Sequence, residues 1–398
     1  MSLSHIQTKF ASVSRGRAQR PEARPKLRAD NIQLAYGYPF PGSFPIDQLI
    51  SSASRALERE GTRALQYGGG PSVRDLQALL ARRLKSRGMS IVDHQVMVTT
   101  GSNQAIDLIA KLFLEKGDRV LVEGPTFFAA LRIFESYESE ICGMPLDDQG
   151  LDTDLLSGWL EKERAAGGPA PKLFYVIPNY QNPTGTTLPV SRREKLLALA
   201  NEYDFIILED DAYGELYFNS PPPPTLRTMD TEGRVVYTST FSKIVAPGVR
   251  LGWAVGVPEV IAGMSALKSD GGTGPLAQAI VYHYCDGNSL DERIVWLRTQ
   301  YRERWGAMRE ALLEHMPRDA TFTEPQGGFF TWLTVPGVDT SAIYNEAVEN
   351  GVTYVEGRSF FPDEQGQESM RLCFSYCDGA IIQEGVRRLA GVIRKGKT

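Results

Sequence analysis

The chain has 398 residues, of which 42% are hydrophobic and 23% are charged, and its formal net charge is −5. This composition is typical of a folded globular protein and excludes the disordered and fibrous classes. A negative chain has no overall basic surplus for neutralising phosphates, so we expect no nucleic-acid partner. No apolar run is long enough to span a bilayer, so we expect no membrane segment.

Cysteines and histidines are few and scattered along the chain. Four cysteines in a long chain without a secretory signal are typical of a reducing compartment, and we expect the cytoplasm. Cys373 and Cys377 are four residues apart with no histidine nearby. Because the spacing assembles no tetrahedral ligand set, we expect no metal site.

The N-terminal arm is basic, with seven Lys or Arg and two acidic residues among the first 30. Two interpretations stay open for it. The arm is either a solvated, flexible segment or a segment that docks over an anion-binding site. In the second case Arg15 or Arg17 could pair with a distal carboxylate of the ligand.

Apolar runs alternate with stretches of helical period between residues 48 and 290. The runs end in turn or polar residues and read QVMVTTG, DRVLVEG, KLFYVIP, FIILEDD and RVVYTST. Short, continuous apolar strands separated by helices predict a mostly parallel sheet covered on both faces. We therefore expect an α/β fold whose large domain, residues 48–290, has three α/β/α layers.

The remaining sequence predicts a smaller α+β domain over residues 291–398. A long amphipathic stretch beginning DERIVWLRTQ is followed by the strand-like GGFFTWLTV, GVTYVEG and SMRLCFSY and by a closing helical stretch. Residues 1–47 are predicted to form the N-terminal arm and a segment of this small domain.

Ligands of open α/β sheets bind beyond the carboxyl ends of the strands, so the residues that end each run are the candidates. After the first run, Gly101 leads into a helix whose first turn holds Ser102, Asn103 and Gln104. Such a helix start can cradle a phosphate, or these side chains can simply cap the helix. Phe127 follows the second run, where it can pack in the core or stack on a ring.

The next three strand ends carry an amide, an acid and a lysine. Asn182 lies in a rigid Pro-rich turn, and FIILEDD ends in three acids, Glu209, Asp210 and Asp211, shortly before Tyr213. A carboxylate there needs a cation, either an arginine or a protonated heterocycle nitrogen. The fifth run delivers a set that could bind a phosphate, namely Thr240, Ser242, Lys243 and Arg250. Together, the five ends suit a phosphorylated, cationic aromatic aldehyde.

Eight motifs in this order carry a resemblance over nearly the whole chain: YGGGPSVRDLQ, TGSNQAID, EGPTFF, NYQNPTG, EDDAYGEL, TFSKIVAPGVRLGW, GGFFTWL and MRLCFSY. They resemble the fold-type I enzymes that use pyridoxal 5'-phosphate, specifically the class I/II aminotransferases. The subgroup is similar to the 2-aminoadipate, aromatic and kynurenine aminotransferases and to the aminotransferase-like domain of MocR regulators. The resemblance implies ping-pong transfer of an amino group from an L-amino acid to a 2-oxo acid, with glutamate and 2-oxoglutarate as one pair.

The resemblance also implies residue roles. Lys243 would bind the cofactor covalently and move the substrate proton, and Asp210 would keep the pyridine nitrogen protonated. Asn182 and Tyr213 would bind the ring 3-oxygen, and Phe127 would stack on the ring. The remaining cofactor contacts would come from Ser102, Asn103, Gln104, Thr240, Ser242, Arg250 and, in a homodimer, Tyr67 of the partner subunit.

The resemblance further implies that Arg371 binds the substrate α-carboxylate, with Asn182, Gly37 and Tyr36 lining the same pocket. Two other functions stay open. A lyase or decarboxylase on the same scaffold would use the same lysine, acid and arginine. A ligand-sensing MocR-like domain would follow a DNA-binding domain, for which the 47 residues before the large domain are too few.

Overall fold

The structure is a computed structural model that describes residues 27–287, 289–363 and 365–397. The first described strand is β1 (Ile32–Gln33), and a central sheet of eight strands follows. The strands of that sheet, in chain order, are β2 (Val96–Thr99), β3 (Arg119–Gly124), β4 (Glu140–Asp147), β5 (Gly150–Leu151), β6 (Pro171–Val176), β7 (Ile206–Asp210), β8 (Val235–Thr240) and β9 (Gly252–Val255).

The central sheet is mixed but mostly parallel, as predicted. Its spatial order is β2-β9-β8-β7-β6-β3-β4-β5. The pairs within the run β8-β7-β6-β3-β4 are parallel, and the outer pairs with β9, β2 and β5 are antiparallel. The carboxyl ends of the central strands therefore meet at one edge of the sheet.

Helices cover both faces of this sheet, which explains the continuous apolar runs of its strands. On one face, Val122, Tyr175 and Leu208 pack in one core cluster. The helices that contribute to that cluster are α3 (Ser102–Phe113), α4 (Phe128–Ser136) and α8 (Pro258–Leu267). On the other face, the adjacent strand residues Leu121, Phe174 and Ile207 pack in a second core cluster. The helices that contribute to this cluster are α5 (Thr153–Ala165), α6 (Val190–Tyr203) and α7 (Leu226–Met229). The three-layer α/β/α prediction is confirmed.

Three further helices surround this body. α1 (Ile46–Glu60) and α2 (Pro71–Ser86) both contact α9 (Pro275–Cys285). Pro71 and Pro275 occupy the first helical positions of α2 and α9, where a missing N–H costs no intrahelical bond. Among the described residues, no helix combines the length and apolar character that crossing a membrane requires.

The C-terminal part contains a second, antiparallel sheet of order β10-β11-β14-β13. Its strands are β10 (Thr321–Phe322), β11 (Phe330–Thr334), β13 (Val355–Glu356) and β14 (Ser369–Cys373), and β12 (Val352–Thr353) pairs in parallel with β1. The helices of this part are α10 (Ser289–His315), α11 (Tyr344–Glu349) and α12 (Gly379–Gly396). The domain division at residues 47 and 290 remains a prediction, which the pairing of β1 with β12 supports.

The structure corrects one detail of the sequence analysis. GVTYVEG, expected to be one strand-like segment, contributes β12 and β13 to two different sheets. Between them lies Tyr354, a buried residue whose hydroxyl donates a 2.5 Å hydrogen bond to the Thr340 carbonyl oxygen. The chain therefore passes from one sheet to the other at Tyr354, whose side chain is buried in the core.

Candidate active site

A cavity of about 360 Å³ lies where the carboxyl ends of β7 and β8 meet the second sheet. Twelve of the fifteen site residues named from the sequence line it, namely Gly37, Ser102, Asn103, Phe127, Asn182, Asp210, Tyr213, Thr240, Ser242, Lys243, Arg250 and Arg371. These positions are separated by up to 334 residues of chain. Sheet topology brings the strand ends together, and the second sheet adds Arg371 from β14.

Asp210 ends β7 with its side chain buried in the cavity wall. Its Oδ2 accepts a 2.8 Å hydrogen bond from the Tyr175 hydroxyl, whereas its Oδ1 has no partner among the described residues. Burial raises the pKa of this carboxyl to about 6. A buried carboxylate oxygen without a donor is costly unless a bound group supplies one.

The Lys243 amine lies in an apolar setting at the cavity floor. Its Nζ donates a 2.8 Å hydrogen bond to the Gly37 carbonyl oxygen and lies 5.7 Å and 5.5 Å from the ring centroids of Tyr213 and Phe329. Burial lowers the pKa of this amine to about 8. The lowered pKa increases the fraction of neutral amine near physiological pH, and the neutral form is the one in which lysine acts as a nucleophile or base.

A polar cradle forms one end of the cavity at the start of α3. Gly101 precedes the helix with φ of 78° and makes no side-chain cap, which leaves the first N–H groups free for a ligand. A Cβ on Gly101 would lie 2.6 Å from Nη2 of Arg250. Across the cradle, Thr240 Oγ1 lies 2.8 Å from Ser242 Oγ. Two hydroxyls, a guanidinium and helix N–H groups make a site for a phosphate.

Arg371 is a buried cation held by neutral groups. Nη1 donates to Asn182 Oδ1 at 2.9 Å, and Nη2 donates to the Ala35 carbonyl oxygen at 2.8 Å. The guanidinium carbon lies 4.2 Å and 5.0 Å from the ring centroids of Phe330 and Phe360. No carboxylate of the described residues pairs with it, and its Nε lacks a partner there. Such a cation calls for an anionic ligand.

The structure leaves three sequence-predicted side chains outside this cavity. The Gln104 side chain is hydrogen-bonded outside the cavity. Its Oε1 accepts from the Thr100 N–H at 2.8 Å, and its Nε2 donates to Asp270 at 2.6 Å. The side chain is thus held away from the cavity, and its predicted contact with the cofactor stays a prediction. Tyr36 stacks on the cavity residue Tyr38 at 5.0 Å without lining the cavity. Tyr67 is 87% exposed and lines a separate cavity. Arg15 and Arg17 fall outside the described residues.

Several contributors were not named from the sequence. Tyr38, Phe128 and Phe330 add aromatic surface to the cavity, and Tyr175 contacts Asp210 from behind. Phe330 lies within the GGFFTWL motif, so the motif was the available signal. Tyr175 sits inside an apolar run, where the pattern indicates only core packing.

These observations fit pyridoxal phosphate. The unpartnered Oδ1 of Asp210 suits a protonated ring nitrogen, Phe127 offers a ring face, Lys243 offers an amine, and the cradle at Gly101 suits a phosphate. A comparison with protein families matches residues 31–389 to the family described as aminotransferase class I and II. The chain belongs to this family.

Individual relatives of this aminotransferase agree. It is 41% identical to aromatic-amino-acid aminotransferase 1 of Thermococcus litoralis, over 92% of this chain and 89% of the relative. It is 33% identical to the 2-aminoadipate transaminase of Thermus thermophilus, over 91% and 90% of the two chains. The crystal structure of Pyrococcus horikoshii kynurenine aminotransferase in complex with PMP superposes with a TM-score of 0.91, at 38% identity and over 99% of this chain and 98% of that chain.

The aminotransferase therefore uses pyridoxal phosphate and transfers amino groups. The family match and the relatives confirm the fold, the enzyme class and the cofactor expected from the sequence. The relatives include aromatic, 2-aminoadipate and kynurenine aminotransferases, which is the subgroup that the motifs resemble.

Proposed function

We propose that this aminotransferase takes L-amino acids with aromatic or other apolar side chains as donors and 2-oxoglutarate as an acceptor. The observation that best supports this proposal is the small number of positively charged side chains that line the cavity. Among the described lining residues, the cations are Lys243, Arg250 and Arg371. Each has a proposed partner in the cofactor or in the substrate α-carboxylate, so none of these three cations is left for a distal carboxylate of the substrate.

Aromatic rings form much of the remaining wall. Tyr38, Phe128 and Phe330 line the cavity, and Tyr36 stacks behind Tyr38. Aromatic side chains of a donor gain both buried area and edge-to-face contacts on such a surface. This wall supports aromatic donors over acidic ones.

The proposed roles of the site residues follow from their contacts. When bound, pyridoxal phosphate supplies an aldehyde that takes up the amino group and a ring that draws electrons from the substrate carbon. Asp210 Oδ1 would hold the proton of the ring nitrogen, and Phe127 would hold the ring in place. The phosphate would be held by Ser102, Asn103, Thr240, Ser242 and Arg250.

Two residues would handle the substrate. Arg371 would bind the α-carboxylate through two parallel hydrogen bonds, which fixes the direction of the Cα–H bond. Lys243 Nζ would then accept the proton from Cα as a general base and later donate it, as a general acid, to the carbon of the cofactor's aldehyde group. The Gly37 carbonyl oxygen, 2.8 Å from Nζ, would hold the amine near this position.

The acceptor's distal carboxylate would be met by Arg15 or Arg17 of the basic arm. An Arg15→Ala/Arg17→Ala variant should lose more activity with glutamate and 2-oxoglutarate than with phenylalanine and its oxo acid. An Arg20→Ala/Arg24→Ala variant removes the same charge from the same arm and serves as the matched control. Equal losses for both substrate pairs would refute the role of the two arginines.

We also propose a homodimer in which Tyr67 of the partner subunit reaches the phosphate. The support is a row of exposed apolar side chains on and after α1, namely Ile46, Ile50, Leu57, Leu65 and Tyr67. Unpartnered apolar residues in one segment favour an interface. An Ile50→Glu variant should sediment as a monomer and bind the cofactor more weakly. A wild-type monomer at micromolar concentration would contradict the proposal.

A cytoplasmic location is likewise proposed. The support is that all four cysteines are free thiols in the structure. Unpaired cysteines are typical of proteins kept in a reducing compartment. Cell fractionation with an antibody to the chain would test the location.

The donor class is tested by ranking kcat/KM for L-phenylalanine, L-tyrosine, L-leucine and L-glutamate with one fixed acceptor. We expect phenylalanine and tyrosine to exceed glutamate by about tenfold or more, since one well-placed apolar side chain contributes about 1.5–3 kcal/mol. A ranking led by glutamate would refute the aromatic preference. Release of ammonia or carbon dioxide instead of an oxo acid would favour the lyase or decarboxylase alternative.

A further inference from the structure

Tyr175 makes a directed contact from the core to the active site. It lies on β6 and pairs in register with Leu208 of β7, two residues before Asp210. Residues two apart on a strand share a face, so the Tyr175 side chain lies on the same side of the sheet as Asp210. Its hydroxyl reaches Oδ2 of Asp210 at 2.8 Å, and its ring is fully buried.

The ring of Tyr175 is fixed independently of this hydrogen bond. It packs edge-on against Phe134 of α4, with ring centroids 5.7 Å apart and an interplanar angle of 64°. Val122 and Leu208 belong to the same core cluster. Because the ring is anchored in the core, the hydroxyl is a fixed donor at the back of Asp210.

The Asp210 carboxylate needs such a donor to keep one orientation. The terminal torsion of an aspartate is broad and roughly two-fold, so the carboxylate plane rotates easily without a directional contact. One oxygen is bound by Tyr175, whereas the other is buried and has no partner among the described residues. Fixing Oδ2 therefore also fixes the position of Oδ1 at the cavity.

We propose that Tyr175 is a positioning residue whose hydroxyl holds Oδ2 of Asp210 so that Oδ1 faces the ring nitrogen of pyridoxal phosphate. The inference rests on the proposed role of Asp210. It assigns to a core tyrosine the task of aiming and keeping ionised the acid that holds the ring proton.

Charge supports this assignment. Burial raises the pKa of Asp210 to about 6, and the Tyr175 hydroxyl, together with the weaker effect of the Ala212 backbone N–H, acts against burial by stabilising the ionised form. The other titratable or charged groups that influence this carboxyl are Asp211, Lys243, Glu123 and Tyr213. Asp211 and Glu123 favour the protonated acid, and Lys243 favours the carboxylate. Among these groups, Tyr175 donates the side-chain hydrogen bond that Asp210 receives.

The test compares two tyrosine-to-phenylalanine variants. Tyr175→Phe removes one oxygen and leaves the ring and its contact with Phe134. Tyr237→Phe is the matched control, because Tyr237 is equally buried on β8, on the other side of β7, and donates at 2.9 Å to Asp211 rather than to Asp210. Both variants lose one buried hydroxyl bound to a carboxylate, so a general loss of packing would affect them alike.

The first readout needs no cofactor. Infrared titration of the apoprotein follows the C=O stretch of the protonated Asp210 carboxyl, which is assigned by its loss in Asp210→Asn. In Tyr175→Phe we expect the pKa of this carboxyl to rise by about one unit, the shift that the loss of a modest hydrogen bond to a charged group produces. An unchanged pKa, or an equal rise in Tyr237→Phe, would overturn the proposal.

The second readout separates positioning from stability. With pyridoxal phosphate, we expect Tyr175→Phe to lower kcat about tenfold with little change in KM. With a cofactor analogue that has carbon in place of the ring nitrogen, the same variant should match the wild type within about twofold, since Asp210 then has no ring proton to hold. A loss of the same size with both cofactors would show that Tyr175 acts by another route.

A further variant covers the case in which Tyr175→Phe folds poorly. Introducing 3-fluorotyrosine at Tyr175 keeps the ring and the hydroxyl but makes the phenol a stronger donor. The pKa of Asp210 in the apoprotein should then fall, opposite to its rise in Tyr175→Phe. A rise, or no shift, would contradict the proposal.

The Asp210→Asn variant distinguishes failure of this inference from failure of the proposed function. If Asp210→Asn leaves kcat unchanged, the proposed role of Asp210 itself is wrong, whatever Tyr175 does.

Discussion

Arg371→Lys would keep the positive charge of the cavity and remove the planar guanidinium. The wild-type side chain is held by Asn182 Oδ1 at 2.9 Å, by the Ala35 carbonyl oxygen at 2.8 Å and by the ring of Phe330 at 4.2 Å. A lysine ammonium is a compact point charge that cannot keep these contacts and also offer two parallel donors to a carboxylate. The variant should therefore bind the substrate through one hydrogen bond in place of two.

The magnitude follows from the lost bond. A hydrogen bond to a charged group contributes about 1.5–3 kcal/mol, which corresponds to about a 10- to 150-fold decrease in kcat/KM for donor and oxo acid alike. The affinity for pyridoxal phosphate should stay within about twofold, since Arg371 is assigned to the substrate and not to the cofactor. Single-turnover absorbance with varied L-phenylalanine measures kcat/KM, and equilibrium dialysis measures the affinity for the cofactor.

Arg304→Lys is the matched control for this prediction. Arg304 is 7% exposed and its guanidinium carbon lies 3.8 Å from the ring centroid of Phe40, but it does not line the cavity. The same chemical change there should leave kcat/KM near that of the wild type. A decrease of less than threefold in Arg371→Lys, or an equal decrease in both variants, would refute the assignment of the α-carboxylate to Arg371.

Two further predictions concern pH. Because burial lowers the pKa of Lys243 to about 8, the rate at which the apoprotein captures pyridoxal phosphate should rise with pH to a midpoint near 8, and a midpoint near the ordinary lysine value of 10.5 would contradict this. Burial raises the pKa of Glu123 from 4.5 to about 8, so the folded protein binds more protons than the unfolded chain in that window and stability falls as pH rises through it. In urea unfolding, the free energy of unfolding of Glu123→Gln relative to the wild type should therefore increase by about 3 kcal/mol between pH 5 and pH 8. If the free energies of the two proteins change with pH in parallel, Glu123 does not have the raised pKa.

The sequence predicted the central sheet and most of the candidate site for one physical reason. Parallel strands buried on both faces read as continuous apolar runs, and their carboxyl ends meet at a single sheet edge. Asn182, Asp210 and Lys243 each lie at or after the end of such a run, so the sequence alone predicts that they converge. The resemblance to a family added Arg371, which lies on the second sheet and follows no strand of the first.

Other features depend on tertiary contacts that a local pattern does not encode. Tyr175 reads as a core residue until the register of β6 against β7 places its hydroxyl beside Asp210. Gln104 lies in the first turn of α3, as expected, but its side chain donates a hydrogen bond to Asp270, which is 166 residues away in the sequence. Tyr38 and Phe330 meet in the cavity wall only through the packing of the N-terminal segment on the second sheet.

Transfer of an amino group in this cavity can be observed in the first half-reaction alone. The purified protein is reconstituted with pyridoxal phosphate and given L-phenylalanine without any oxo-acid acceptor, while the absorbance of the bound cofactor is recorded. We expect conversion to the pyridoxamine form with one equivalent of phenylpyruvate per site, and reversal on addition of 2-oxoglutarate. An unchanged spectrum, or release of ammonia or carbon dioxide in place of the oxo acid, would contradict it.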